Sequence, residues 1–156
     1  ARALSKPVLV EGPPGVGKTE LAKAAAALFD KPLIRLQCYE GLDVGTTIYE
    51  WNYQKQLLHI KLFEQEKDKR KLGEEIFGME YVLERPLLRS ICAPKPVVLL
   101  IDEIDKADLD FPNDLIQELD QQLFYVTETS PTITVKATHR PLILITSNNE
   151  KPLPDA

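Results

Sequence analysis

Gly12-Pro13-Pro14-Gly15-Val16-Gly17-Lys18-Thr19 fits the spacing G-x-x-x-x-G-K-[ST] without a gap. Before it, Pro7-Val8-Leu9-Val10-Glu11 is a short apolar run that reads as a buried strand. After it, Glu20-Leu21-Ala22-Lys23-Ala24-Ala25-Ala26-Ala27-Leu28-Phe29 is a strong helix former. Strand, glycine loop and helix together make a phosphate cradle. The glycines let backbone N–H groups close on phosphate oxygens, and the helix N-terminus adds partial positive charge. Lys18 is expected to reach the β- and γ-phosphates, and the Thr19 hydroxyl to ligate Mg²⁺. The nucleotide-binding stretch is therefore Gly12, Pro13, Pro14, Gly15, Val16, Gly17, Lys18, Thr19 and Glu20.

Val97-Val98-Leu99-Leu100-Ile101 is continuously apolar and rich in β-branched residues, the pattern of a parallel strand buried on both faces. It ends in Asp102-Glu103, and ligands of open α/β sheets bind beyond such strand ends. Asp102 is expected to hold Mg²⁺, directly or through water. Glu103 is expected to act as general base toward a water attacking the γ-phosphate. A third buried run, Leu142-Ile143-Leu144-Ile145-Thr146, ends in Ser147-Asn148-Asn149. The Asn148 amide can bond the γ-phosphate or position that water.

These three motifs in this order resemble an AAA+ ATPase. The first looks like Walker A, Leu99-Leu100-Ile101-Asp102-Glu103 like Walker B, and Thr146-Ser147-Asn148 like sensor-one. Arg35-Leu36-Gln37-Cys38-Tyr39-Glu40-Gly41-Leu42-Asp43, Tyr49-Glu50-Trp51-Asn52-Tyr53 and Thr146-Ser147-Asn148-Asn149-Glu150 resemble the MoxR branch. The resemblance implies an ATP- and Mg²⁺-dependent hydrolase working as a homo-hexamer. It also implies a chaperone-like role on a protein client, often with a von Willebrand factor A-domain partner. The implied fold is α/β: a P-loop (AAA+) parallel sheet core with helices on both faces, in the order 5-1-4-3-2. Residues 1–156 would form one partial AAA+ core, the chain stopping before the family's arginine finger, last core strand and helical lid.

Composition agrees with an ordinary soluble globular domain: 44% hydrophobic, 28% charged, 156 residues. A formal net charge of −5 argues against a broad nucleic-acid surface. Cys38 and Cys92 are far apart, with no metal-ligand spacing, and read as buried thiols suited to a reducing cytoplasm. No segment reaches membrane-span length, and no signal-peptide pattern opens the chain, so the expected location is cytoplasmic without a membrane partner. No N-K-x-D run occurs, which disfavours GTP.

Lys18 and Asp102 lie 84 positions apart (102 − 18 = 84), whereas a strand–helix–strand unit needs only about 30 residues. The excess implies a helical insert from about residue 40 to 96. Within it, residues 48–72 read as helix, with Tyr49, Tyr53, Leu57 and Ile60 in one stripe. Residues 79–91 read as a second helix in which Pro86 marks a kink or start. The Lys67-Asp68-Lys69-Arg70-Lys71 cluster, interleaved with acids, reads as a solvated helix face.

Asp110-Phe111-Pro112 opens a further helix, with Leu115, Leu119 and Leu123 expected against the sheet. Phe124–Glu128 and Thr132–Lys136 alternate around Thr129-Ser130-Pro131, a hairpin signature. It resembles the hairpin before sensor-one in one AAA+ clade, which faces the central pore in ring-forming relatives. His59 and His139 read as surface or packing residues. Two other readings remain: an AAA+ motor on nucleic acid, which the uncharged hairpin tip disfavours, and a non-catalytic nucleotide-dependent scaffold, which intact Lys18, Thr19, Asp102 and Glu103 disfavour.

Overall fold

A computed structural model describes residues 6–63, 76–121 and 123–151. Its centre is a four-stranded parallel sheet built from β1 (Val8–Glu11), β2 (Leu33–Gln37), β5 (Val98–Asp102) and β8 (Leu142–Ser147), in the order β1-β8-β5-β2. Counting only these strands along the chain, that order is 1-4-3-2, as the motif resemblance implies. Leu100 lies opposite Leu144 on β8 and Arg35 on β2, and Asp102 lies opposite Gln37.

Alternation along β5 divides the core in two. Val98 and Leu100 face helix α1 (Lys18–Leu28), where Ala22, Ala26 and Leu144 complete a small cluster. Alanine at these positions lets the helix lie close to the sheet. Leu99 and Ile101 face the opposite side, packing among Leu36, Leu87, Leu88, Ile91, Leu115 and Ile143. Leu87, Leu88 and Ile91 come from α4 (Pro86–Ile91) and Leu115 from α5 (Phe111–Gln121). A strand covered on both faces cannot alternate polar with apolar, hence the unbroken run.

The connection between β2 and β5 is less helical than its pattern. After α2 (Val44–Ile48), the chain forms β3 (Tyr49–Trp51), which pairs antiparallel with β4 (Val82–Glu84). Helix α3 (Tyr53–Phe63) begins only at Tyr53, where the Asn52 side chain accepts from the Lys55 N–H at 2.9 Å. Extended Tyr49 therefore leaves the expected stripe, and Tyr53 and Leu57 face solvent. A 3₁₀ turn (Met79–Tyr81) leads into β4, and Pro86 occupies the first turn of α4, starting that helix rather than kinking a longer one. The helical reading over 64–72 and the charged cluster at 67–71 lie outside the described residues.

Leu115 and Leu119 are buried as expected, but Leu123 opens β6 (Leu123–Val126) instead of extending α5. Strands β6 and β7 (Ile133–Lys136) form the expected hairpin. Its turn is held inward: the Tyr49 hydroxyl donates to Glu128 Oε2 at 2.6 Å, and Val126 packs with Trp51 and Tyr81. Among the described residues, no helix is long and apolar enough to cross a membrane.

Candidate functional site

The face of the sheet that packs on α1 changes character at its C-terminal end. Lower down it presents Leu33, Val98, Leu100, Leu142 and Leu144. Further along each strand, the same parity gives Arg35 and Gln37, Asp102, and Thr146. The α1 N-terminus and its preceding loop close over this polar end.

In that loop Gly15 and Gly17 have φ of 82° and 94°, and nothing lies within 4 Å of a Cβ added at either. The requirement for glycine is therefore conformational. Left-handed residues of this kind turn successive N–H groups toward one point, the geometry that takes an anion. The Lys18 ammonium folds back over the loop, donating to the carbonyls of Gly12 at 2.6 Å and Pro13 at 2.8 Å. An ammonium has three donors, so this grip is compatible with a phosphate oxygen above it. Glu20 turns its side chain to Lys23 at 2.6 Å, so its contribution to an anion would be its backbone N–H.

The Thr19 hydroxyl lies 3.3 Å from both oxygens of Asp102. Asp102 is 1% exposed. It also accepts from Thr146 Oγ1 at 2.5 Å and from Arg35 Nε at 2.8 Å. A hydroxyl and a carboxylate facing each other are hard oxygen donors of the kind Mg²⁺ takes, one or two from protein and the rest from phosphate and water. The donor set thus fits the metal.

Glu103 leaves the strand in a left-handed conformation, φ 58° and ψ 52°. Its N–H is held by Thr146 Oγ1 at 2.8 Å. Oε2 accepts from Gln37 Nε2 and Lys106 Nζ, both at 2.8 Å, while Oε1 faces the Asn148 amide at 3.4 Å. Lys106, then Asn148, hold the Glu103 carboxyl below its ordinary range against the opposing effect of desolvation, keeping it ionised as a base must be. Asn148 is itself positioned by buried Asp105, which accepts from the N–H groups of Asn148 at 3.1 Å and Glu150 at 3.0 Å.

Lys18, Thr19, Asp102, Glu103 and Asn148 thus lie at one end of the sheet. Sequence reasoning assigned no role to Arg35, Gln37, Thr146, Asp105 or Lys106. Thr146 and Arg35 stood inside quoted motifs, but only strand register brings them to Asp102. The thiols divide: Cys38 is buried, and burial, reinforced by Asp102, Asp105 and Glu103, pushes it up to about 12, leaving it protonated. Cys92 is exposed, contrary to expectation, because it follows the last turn of α4. His139 is exposed, and His59 bonds the Tyr81 hydroxyl, so neither meets the site.

A parallel sheet in the order 1-4-3-2, a glycine loop opening its first helix and paired carboxylates at the end of its central strand define a P-loop α/β domain. The chain belongs to the family described as AAA domain (dynein-related subfamily), whose model matches residues 7–155. Among solved structures, a proposed ATPase from Cytophaga hutchinsonii ATCC 33406 is similar, at 18% identity and a TM-score of 0.59. The match covers 96% of this chain and 38% of that one, a likeness of fold. Comparison with curated proteins gives no match.

Proposed function

We propose that the chain is the ATP-binding and ATP-hydrolysing module of a MoxR-like AAA+ ATPase that remodels or assembles a partner protein complex. The observation that carries this reading is the convergence of Lys18, Thr19, Asp102, Glu103 and Asn148 at the end of one sheet, with Glu103 and Asn148 in contact at 3.4 Å.

The loop Gly12–Thr19 would bind the phosphates through its N–H groups, and Lys18 would neutralise β- and γ-oxygens. Thr19 and Asp102 would hold Mg²⁺, which when bound supplies further charge neutralisation to the transferring phosphoryl group. Asn148 and Glu103 Oε1 would orient a water in line with the γ-phosphorus. The water oxygen bonds to phosphorus as the bridging β–γ P–O bond breaks. Its proton passes to Glu103, and ADP and phosphate leave.

The MoxR-type role, a homo-hexamer and a von Willebrand factor A-domain partner or protein client are supported by the motif texture at Arg35–Asp43, Tyr49–Tyr53 and Thr146–Glu150. A cytoplasmic setting suits the free thiols Cys38 and Cys92. A nucleic-acid motor is disfavoured by the hairpin, whose turn bears Glu128 and no Lys or Arg between Thr127 and Pro131.

The test is phosphate release from ATP by the full-length protein, with Mg²⁺ and with EDTA, beside Glu103→Gln. Metal-dependent release that disappears in the variant, with analogue binding intact, is expected. Absence of nucleotide binding in the parent overturns the reading.

A further inference from the structure

Asp102 holds a buried carboxylate at the end of β5. A buried charge persists only when paired. Neutral donors supply part of the pairing, Thr146 on Oδ1 and Thr19 facing both oxygens. The full positive charge comes from Arg35, whose Nε and Nη2 both reach Oδ2, at 2.8 Å and 2.5 Å. Strand register brings it there, since Gln37 lies opposite Asp102 and Arg35 stands two residues earlier on the same face. None of the catalytic roles above uses Arg35.

The oxygen Arg35 engages is one of the two that face Thr19. The atoms that fit Mg²⁺ therefore lie beside a fixed positive charge. Two cations on one carboxylate repel, and at this buried aspartate water screens them poorly. The arginine side chain is 51% exposed and its Nη2 otherwise bonds only the exposed Gln37 amide oxygen among the described residues, so it can withdraw into solvent without opening the core. Nucleotide phosphates carry negative charge of their own and offset the repulsion, which the metal alone cannot do.

We propose that Arg35 is a built-in counter-cation at Asp102 that competes with Mg²⁺, so that the metal enters together with the nucleotide rather than ahead of it. This rests on the reading of Thr19 and Asp102 as Mg²⁺ ligands.

The test uses the full-length protein. Mn²⁺ is titrated into the nucleotide-free form by electron paramagnetic resonance. Affinity for a non-hydrolysable ATP analogue is measured by calorimetry with Mg²⁺ and with EDTA. The wild type is expected to bind free Mn²⁺ weakly and to show a strong Mg²⁺ effect on analogue affinity. Arg35→Gln is expected to bind free Mn²⁺ ~10-fold tighter or more, the scale of changes around metal ligands. It should lose a similar factor of metal–nucleotide coupling, because coupling is reciprocal. Arg35→Lys retains the charge and is expected to stay close to wild type. Arg35→Met, which keeps the apolar stem, applies the same criterion should the glutamine variant fold poorly. Unchanged or weaker free Mn²⁺ affinity in the charge-removed variant overturns the proposal; weaker affinity would make Arg35 a support for Asp102. A wild type whose analogue affinity ignores Mg²⁺ overturns the ligand assignment beneath it, a distinct result.

Discussion

Strand β5 and helix α3 are both rich in large apolar residues, yet they end in opposite environments. Every residue of Val98–Asp102 is buried, whereas Tyr53, Leu57, Leu58 and Leu62 of α3 are 57–69% exposed. The strand lies between two neighbours in its sheet and two layers of helix. The helix meets the described chain along a narrow seam, where the anchors are polar: Gln56 donates to the Ile76 carbonyl at 2.6 Å and accepts from Trp51 Nε1 at 3.3 Å. Apolar composition becomes burial only where the topology supplies a facing surface. The sheet is thus a scaffold with the candidate site at its polar end, and within the connection from β2 to β5, α4 joins the core while α3 is an appendage tied on by a few specific bonds.

Breaking the chemical end should produce the largest effect. Glu103→Gln is expected to lower turnover ~10²–10⁴-fold, the usual cost of losing one positioned base, while leaving the circular dichroism spectrum unchanged. Steady-state phosphate release decides it, and turnover at the parental rate would show that another group takes the proton.

The contrast between scaffold and appendage can be measured directly by stability. Leu100→Ala removes a fully buried side chain between β5 and α1 and is expected to cost ~2–5 kcal/mol. Leu58→Ala, 58% exposed on α3, should stay within ~0.5 kcal/mol. Urea midpoints of the two variants, measured side by side, test the ranking. A comparable loss at Leu58 would mean that α3 is covered in the intact protein.

Lys18→Ala should weaken binding of an ATP analogue by roughly 10²-fold, equivalent to losing about 1.5–3 kcal/mol of charge-assisted bonding. Among the described residues its bonds run to the Gly12 and Pro13 carbonyls, so the fold should persist. Near-parental affinity by calorimetry would remove Lys18 from the phosphate site.

The smallest effect is expected at Lys106. It is the leading cause that holds the Glu103 carboxyl below its ordinary range. A base with a depressed pKa is active above that pKa and is lost as pH falls through it. Lys106→Met should therefore move the acid limb of kcat/KM to higher pH, toward the ordinary carboxylate value. An unmoved limb would mean that this ion pair does not tune the base.

The parts legible from sequence are those where function depends on local spacing. Gly15, Gly17, Lys18 and Thr19 lie in one turn, and Asp102-Glu103 at the end of one strand, so residue order alone singles them out as candidates. The apolar runs also announced a parallel sheet, because a strand covered on both faces must be apolar throughout. The reading failed where local pattern competed with pairing. Tyr49–Trp51 and Val82–Glu84 carry helix-compatible patterns but find each other across about 30 residues and form a sheet. Leu123 continues the α5 spacing, but pairs with Lys136.

By itself, then, the sequence determined the class of fold and pointed to the glycine loop, the carboxylate pair and Asn148 as candidates, since each is written in residues adjacent along the chain. Tertiary structure alone decided that Arg35 neutralises Asp102, that Thr146 ties Asp102 to the turn at Glu103, and that Asp105 supports Asn148. The separations there are 67, 44, 43 and 43 positions. At such distances, it is the register of β2 and β8 on β5 that sets which side chains meet, and a slip of one residue would turn each of them to the other face.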